Sequence, residues 1–67
     1  MTNKIKIHRV MNDLTQAELA AKVGVIPWTI SQMELNHYAP SVKLALRIAK
    51  TLNATVEEIF ILDENGE

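Results

Sequence analysis

One stretch in the first half of the chain constrains the fold more than any other part of the sequence. Thr15 and Glu18 have the spacing of a capping box, in which a hydroxyl and a carboxylate satisfy the free N–H groups that begin a helix. Gly24 suits the left-handed conformation that closes a helix, and Pro27 suits the first turn of the next one. The pattern predicts two short helices, from residue 16 to 23 and from 27 to 35 or 36, joined by a tight turn.

The apolar and small residues of this stretch have the spacing that two crossing helices require. They are Leu19, Ala20, Val23, Gly24, Val25, Ile30 and Met33. Ala20 is small where the second helix would pass over it, and Ile30 and Met33 would anchor that helix from beneath. This is the pattern of a helix-turn-helix, over residues 16–35. A tight helical hairpin in a small bundle is the structural alternative.

The rest of the chain is predicted to form three further helices. Residues 5–12 have helical spacing, and Ser41 can cap a helix that runs through Leu52. That helix has an apolar stripe formed by Val42, Leu44, Ala45, Ile48, Ala49 and Leu52. Thr55 and Glu58 form a second capping box, which opens a short fifth helix. The fold class is therefore all-α.

The length of 67 residues predicts a single domain, residues 1–67, with a small core. The sequence contains no cysteine, so disulfides and thiolate metal sites cannot add stability. Dimerisation is the remaining way to stabilise a domain of this size. The N-terminal segment lacks the apolar region of a signal peptide, and no apolar run approaches the roughly 20 residues of a membrane span. We expect a cytoplasmic protein without a membrane partner.

The net charge of −1 conceals a strong asymmetry along the chain. Residues 1–50 contain seven Lys or Arg and three Asp or Glu, whereas residues 51–67 contain no basic residue and five acidic ones. A basic body with an acidic tail suits a protein that presents one face to phosphate. Ordinary surface charge is an equally good interpretation of composition alone.

The chain resembles the Cro/C1-type (XRE-like) repressor family in the segments LTQAELAAKVGV and TISQME, followed by PSVKLALRIAKTLNATVEEIF. The resemblance covers nearly the whole chain. It implies a five-helix, lambda-repressor-like bundle in which the second and third helices form the helix-turn-helix and the third enters the major groove. Short stand-alone members of this family are typically homodimers, some with short strands at the termini.

The third helix is predicted to present four residues to the bases. Ile30, Met33 and Glu34 share its inward side, so the outward side carries Trp28, Thr29, Gln32 and Leu35. Gln32 can make a bidentate pair with adenine, and Trp28 can offer an apolar surface to a thymine methyl. The alternative for Trp28 is burial against a neighbouring helix.

A second set of residues is predicted to hold DNA phosphates and fix register. The set is Thr15, Gln16, Asn36, His37, Tyr38, Ser41 and Lys43. Gln16 stands at the start of the second helix, where backbone N–H groups attract anions, and the resemblance gives it the same role. For His37 and Lys43, a solvated loop or surface position is equally expected.

The resemblance also places Arg9 and Glu34 at positions that form a partly buried ion pair between the first and third helices. Such a pair would neutralise a carboxylate that otherwise repels phosphate. Two isolated histidines give no metal site, and no nucleophile, base and orienting group occur together. We therefore expect no enzyme activity, no cofactor and no small-molecule effector.

Surplus apolar residues predict a homodimer. The expected interface is formed by Ile7, Val10, Met11, Ile59, Phe60, Ile61 and Leu62, with residues 59–67 as dimerisation segment and tail. Lys4–Ile7 and Ile59–Leu62 could also pair as short antiparallel strands. A monomer that packs Phe60 and Ile61 on its own fourth helix is the alternative.

Together these features predict a sequence-specific regulator of transcription that binds double-stranded DNA. A repressor bound as a homodimer to an operator of two half-sites is the function we expect. An activator or an antitoxin acting through the same domain fits nearly as well. A protein-interaction module that has kept the fold without DNA binding is the rival from another class.

Overall fold

The computed structural model describes residues 1–62, which form five helices and one short two-stranded sheet. In chain order the elements are β1 (Thr2–Asn3), α1 (Ile5–Met11), α2 (Gln16–Val23), α3 (Pro27–Glu34), α4 (Val42–Thr51), α5 (Val56–Ile59) and β2 (Phe60–Ile61). The predicted all-α fold with short terminal strands is confirmed. Residues 63–67, the end of the predicted tail, lie outside the described residues. No helix within residues 1–62 is long and apolar enough to cross a membrane.

The helix α2 begins and ends at the residues predicted from the sequence, because its neighbouring capping residues decide both ends. The Thr15 backbone N–H donates to the Glu18 carboxylate at 2.9 Å, and the Glu18 N–H donates to the Thr15 hydroxyl at 3.0 Å. Gly24 closes the helix with a φ of 82°, in the left-handed region. A Cβ added there would meet the Nη1 of Arg47 at 3.9 Å, which is ordinary contact, so backbone conformation rather than space favours glycine.

Acid should remove stability that the two capping boxes contribute. Hydrogen bonds from the backbone N–H and the hydroxyl of Thr15 lower the pKa of Glu18 below 4.5, and Thr55 does the same for Glu58. A carboxyl with a lowered folded-state pKa contributes stability above its unfolded pKa, and this is lost as pH falls through the folded pKa. We expect the Tm advantage of the parent over a Glu18→Gln/Glu58→Gln variant to shrink below pH 4.5. Glutamine keeps the acceptor without titrating, so a constant difference would contradict this prediction.

The core draws on all five helices. Its buried residues are Ile5, Leu19, Ala20, Val23, Ile30, Met33, Ile48, Ala49, Leu52 and Ile59. The predicted placement of the helix-turn-helix residues Leu19, Ile30 and Met33 in the core is confirmed. Val42 was predicted to join the buried stripe of α4, and this is wrong, because its side chain is 78% exposed. As the first residue of α4 it lies beyond the edge of the core.

The terminal strands form, the second within the suggested segment Ile59–Leu62 and the first at Thr2–Asn3, just before the suggested segment Lys4–Ile7. Thr2 pairs with Ile61 and Asn3 with Phe60 in antiparallel register. The prediction of a strand at Lys4–Ile7 is wrong, because Ile5 begins α1 and is fully buried there. Lys4 continues the link between the termini, since its N–H donates to the Ile59 carbonyl at 2.7 Å.

Candidate nucleic-acid interface

The outward face of α3 carries the four residues predicted to read bases. Trp28 and Leu35 are 64% and 58% exposed, and Thr29 and Gln32 are half-buried. The exposure of Trp28 excludes its burial against a neighbouring helix of the same chain. Ile30 and Met33 fix the opposite side of α3 in the core. The face is therefore presented to solvent on a helix whose other side is held, while base reading itself stays a prediction.

Glu34 is the centre of a network between α1, α2 and α3. The Arg9 Nε donates to Glu34 Oε2 at 2.7 Å, and the two side chains are only 11% and 7% exposed. Arg9 Nη1 also donates to the Leu14 carbonyl at 2.8 Å. The structure thus contains the Arg9–Glu34 pair, and it is more buried than a surface pair.

Gln16 joins the same network. Its Nε2 donates to Glu34 Oε1 at 2.9 Å, which holds the side-chain amide at the start of α2 against the end of α3. Sequence reasoning placed Gln16 at a phosphate and did not foresee this contact. The carboxylate of Glu34 is therefore shared between a guanidinium and an amide, and the positive guanidinium offsets its negative charge.

The end of α3 is held by a residue that sequence reasoning missed. The Asn3 Nδ2 donates to the Met33 carbonyl and to Asn36 Oδ1, both at 2.8 Å, while Asn3 Oδ1 accepts from the Ile5 N–H at 3.1 Å. Asn36 itself has a φ of 62°, the left-handed conformation that asparagine tolerates after a helix. The terminal sheet is thereby connected to the loop that follows α3.

The other residues predicted at phosphates are all exposed. The Ser41 hydroxyl accepts from the Leu44 N–H at 3.2 Å and so caps α4, as the Thr15 hydroxyl caps α2. Tyr38 is 48% exposed, and Lys43 is exposed on the first turn of α4. The His37 side chain is directed to Gln32, with 3.2 Å between Nδ1 and Oε1. Phosphate contacts by these residues stay a prediction.

Within residues 1–62, no group of three or more histidine, aspartate or glutamate side chains is arranged to hold a metal ion. The basic side chains of α4 are instead exposed. The position of Arg47, close to Gly24 in the turn between α2 and α3, was not foreseen from the sequence. The amphipathic pattern placed Arg47 only on the solvent-exposed side of α4, because such a pattern predicts which face a residue lies on but not which residue it contacts.

Comparison with known proteins agrees with this geometry. The helix-turn-helix family model HTH_3 matches residues 5–59. An HTH-type transcriptional regulator of Methanothermobacter thermautotrophicus is 49% identical over 67 residues, covering 98% of this chain and 97% of the relative. YgzD, an HTH-type transcriptional regulator of Bacillus subtilis, is 38% identical over 66 residues, covering 98% and 100% of the two chains.

Two solved structures are similar in fold. The P22 c2 repressor in complex with synthetic operator 9T has a TM-score of 0.76 at 30% identity, covering 79% of this chain and 80% of that one. The N-terminal DNA-binding domain of SinR from Bacillus subtilis has a TM-score of 0.72 at 30% identity, covering 79% and 78%. The chain therefore belongs to the Cro/C1-type helix-turn-helix family of transcriptional regulators.

Proposed function

We propose that this regulator represses transcription by binding, as a homodimer, a double-stranded DNA operator made of two similar half-sites. The observation that carries the proposal is the exposed face of α3, whose opposite side is fixed in the core by Ile30 and Met33. A helix held in this way can enter the major groove with Thr29 and Gln32 toward base edges.

The surroundings of α3 support contact with the DNA backbone. The start of α2 lies against the end of α3, where Gln16 contacts Glu34, and the loop containing Asn36 and His37 follows that end. Backbone N–H groups at the start of a helix attract phosphate, and polar side chains beside a recognition helix can fix its register. The P22 c2 repressor, which is similar in fold, was solved on an operator.

A groove between α4, α5 and the terminal strands supports the homodimer. It is lined by Met1, Pro40, Val42, Ala45, Leu46, Val56, Glu57 and Phe60, with a volume of about 410 Å³. Val42 and Leu46 lie one turn apart on α4 and are 78% and 56% exposed. We assign a second copy of the chain as the occupant of this groove. In a two-fold dimer the same patch of both copies would be buried, so this groove would contribute Val42 and Leu46 from each chain.

The residues of this groove agree only in part with the interface predicted from the sequence. Ile59 was predicted at the interface, but it is fully buried in the core of its own chain and cannot contact a partner. Phe60 lines the groove, Ile61 is half-buried beside it in β2, and Leu62 is 67% exposed. On α1, Ile7, Val10 and Met11 are 57%, 56% and 70% exposed and form a second candidate surface.

Binding to a mixed pool of duplex DNA as a function of salt tests the proposal. A protein that neutralises several phosphates releases counterions, so the association constant should fall steeply as salt rises, by about 10³-fold or more from 50 to 200 mM for six or more contacts. No binding to any duplex at low salt would contradict the proposal.

Two variants separate base reading from phosphate contact. Gln32→Ala should cost about 1 to 3 kcal/mol at the preferred site only, whereas Gln16→Ala should weaken all duplexes similarly.

A protein-interaction module is the second candidate, because Trp28 and Leu35 expose large apolar side chains on one face. It predicts no salt-dependent binding of duplex DNA, so the same titration separates the two functions. An activator or antitoxin would bind DNA in the same way and differ only in the effect on transcription. We propose no catalytic role. Because the proposed partner is chromosomal DNA, we propose that the protein is located in the cytoplasm.

A further inference from the structure

His37 and Gln32 form a side-chain pair on the base-reading side of α3. The His37 Nδ1 lies 3.2 Å from the Gln32 Oε1, and the His37 backbone N–H donates to the Gln32 carbonyl at 2.9 Å. An amide carbonyl oxygen can only accept a hydrogen bond, so the contact requires a proton on Nδ1. The backbone contact fixes the separation of the two residues, and the side-chain contact fixes the rotation of the amide.

We infer that His37 is a positioning residue for base selection, which holds the Gln32 amide in one orientation and thereby sharpens the base preference at one operator position. The inference rests on the proposed function, since it concerns how the proposed base-reading residue is presented. It adds a residue that the sequence indicated only as a phosphate contact or a solvated loop position.

The physical reason is the ambiguity of a free glutamine side chain. Its terminal amide has an acceptor at one end and two donors at the other, and the torsion that exchanges them is soft. A rotating amide can therefore match the donor and acceptor pattern of adenine in one orientation and the acceptors of guanine or thymine in another. With Oε1 held toward Nδ1, the Nε2 group is directed away from His37, and one orientation is selected before DNA is bound.

The entropy of ordering the side chain is also removed in advance. Ordering a flexible side chain on binding costs an amount that corresponds to about a 2- to 12-fold change in affinity. The contribution is specific to the base that fits the held orientation, because a mismatched base must first break the contact with His37. Phosphate contacts act on every sequence alike and cannot produce this effect.

Selection of bound sites from a random duplex library tests the inference with five proteins. In the parent, one position should show a preference that Gln32→Ala removes. His37→Ala should reduce discrimination at that same position by about 2- to 12-fold, and His37→Asn, whose amide can donate from nearly the place of Nδ1, should restore most of it. In the Gln32→Ala background, His37→Ala should cause no further change in base preference.

Two results would overturn the inference. If His37→Ala weakens all sequences equally and leaves every base preference intact, the residue acts only on phosphate or on the fold. If it changes base preference also in the Gln32→Ala background, His37 contacts a base itself. Failure of the parent to bind any duplex would instead contradict the proposed function, so the two failures are distinguishable.

Discussion

Replacing Glu34 by alanine is expected to lower the free energy of unfolding by roughly 3 to 5 kcal/mol, because it leaves a largely buried guanidinium without its carboxylate. The pair geometry supports this size of effect, since Arg9 and Glu34 are 11% and 7% exposed and are joined at 2.7 Å. An ion pair in solvent would cost less than about 1 kcal/mol. For a small domain with a stability of about 5 to 15 kcal/mol, the loss removes a large fraction of the total.

Equilibrium denaturation of three variants measures the effect and separates its causes. Arg9→Met and Glu34→Ala should each be strongly destabilised, whereas Arg9→Met combined with Glu34→Leu should recover much of the loss, because no charge is then stranded. A loss below about 1 kcal/mol in Glu34→Ala would show that water reaches the pair. Equal destabilisation in the double variant and the single variants would mean that packing, not charge, explains the loss.

Helix boundaries were predictable from the sequence where a few neighbouring residues decide them. Thr15 and Glu18, or Thr55 and Glu58, satisfy the first N–H groups of a helix whatever the rest of the chain does. The prediction of a strand at Lys4–Ile7 was wrong because no such local signal decides the structure there. An alternation over four residues suits a strand and a helix start equally, and the need to bury Ile5 in the core decided for the helix.

The face of α3 was likewise predictable, because helical periodicity alone separates its buried and exposed sides. The contacts that hold this face in place were not predictable from the sequence. Asn3 reaches Asn36 across 33 residues of sequence, and Gln16 reaches Glu34 across 18. Such contacts depend on how the helices pack, and a lone asparagine near the N-terminus matches no motif. Val42 shows the same limit, since periodicity assigned it to a buried side without indicating where the core ends.

Leu46→Asp is expected to convert the protein to a monomer and to reduce operator affinity by about 10²- to 10⁴-fold. The parent Leu46 is 56% exposed, so an aspartate there should leave the fold of the single chain intact. In the proposed dimer the same carboxylate would be buried among apolar side chains without a partner, at a high cost in free energy. Without the dimer, each half-site is bound separately, and the gain from joining two binding events is lost.

Val10→Asp is the matched control, because Val10 is also 56% exposed but lies on α1, away from the groove lining. Sedimentation at micromolar concentration should give a dimer for the parent and for Val10→Asp, and a 7.5 kDa species for Leu46→Asp. If Val10→Asp dissociates while Leu46→Asp remains dimeric, the interface is the face formed by Ile7, Val10 and Met11. A parent that sediments at 7.5 kDa while it binds its operator tightly would exclude the homodimer in solution, and recognition of two half-sites would then require assembly on the DNA itself.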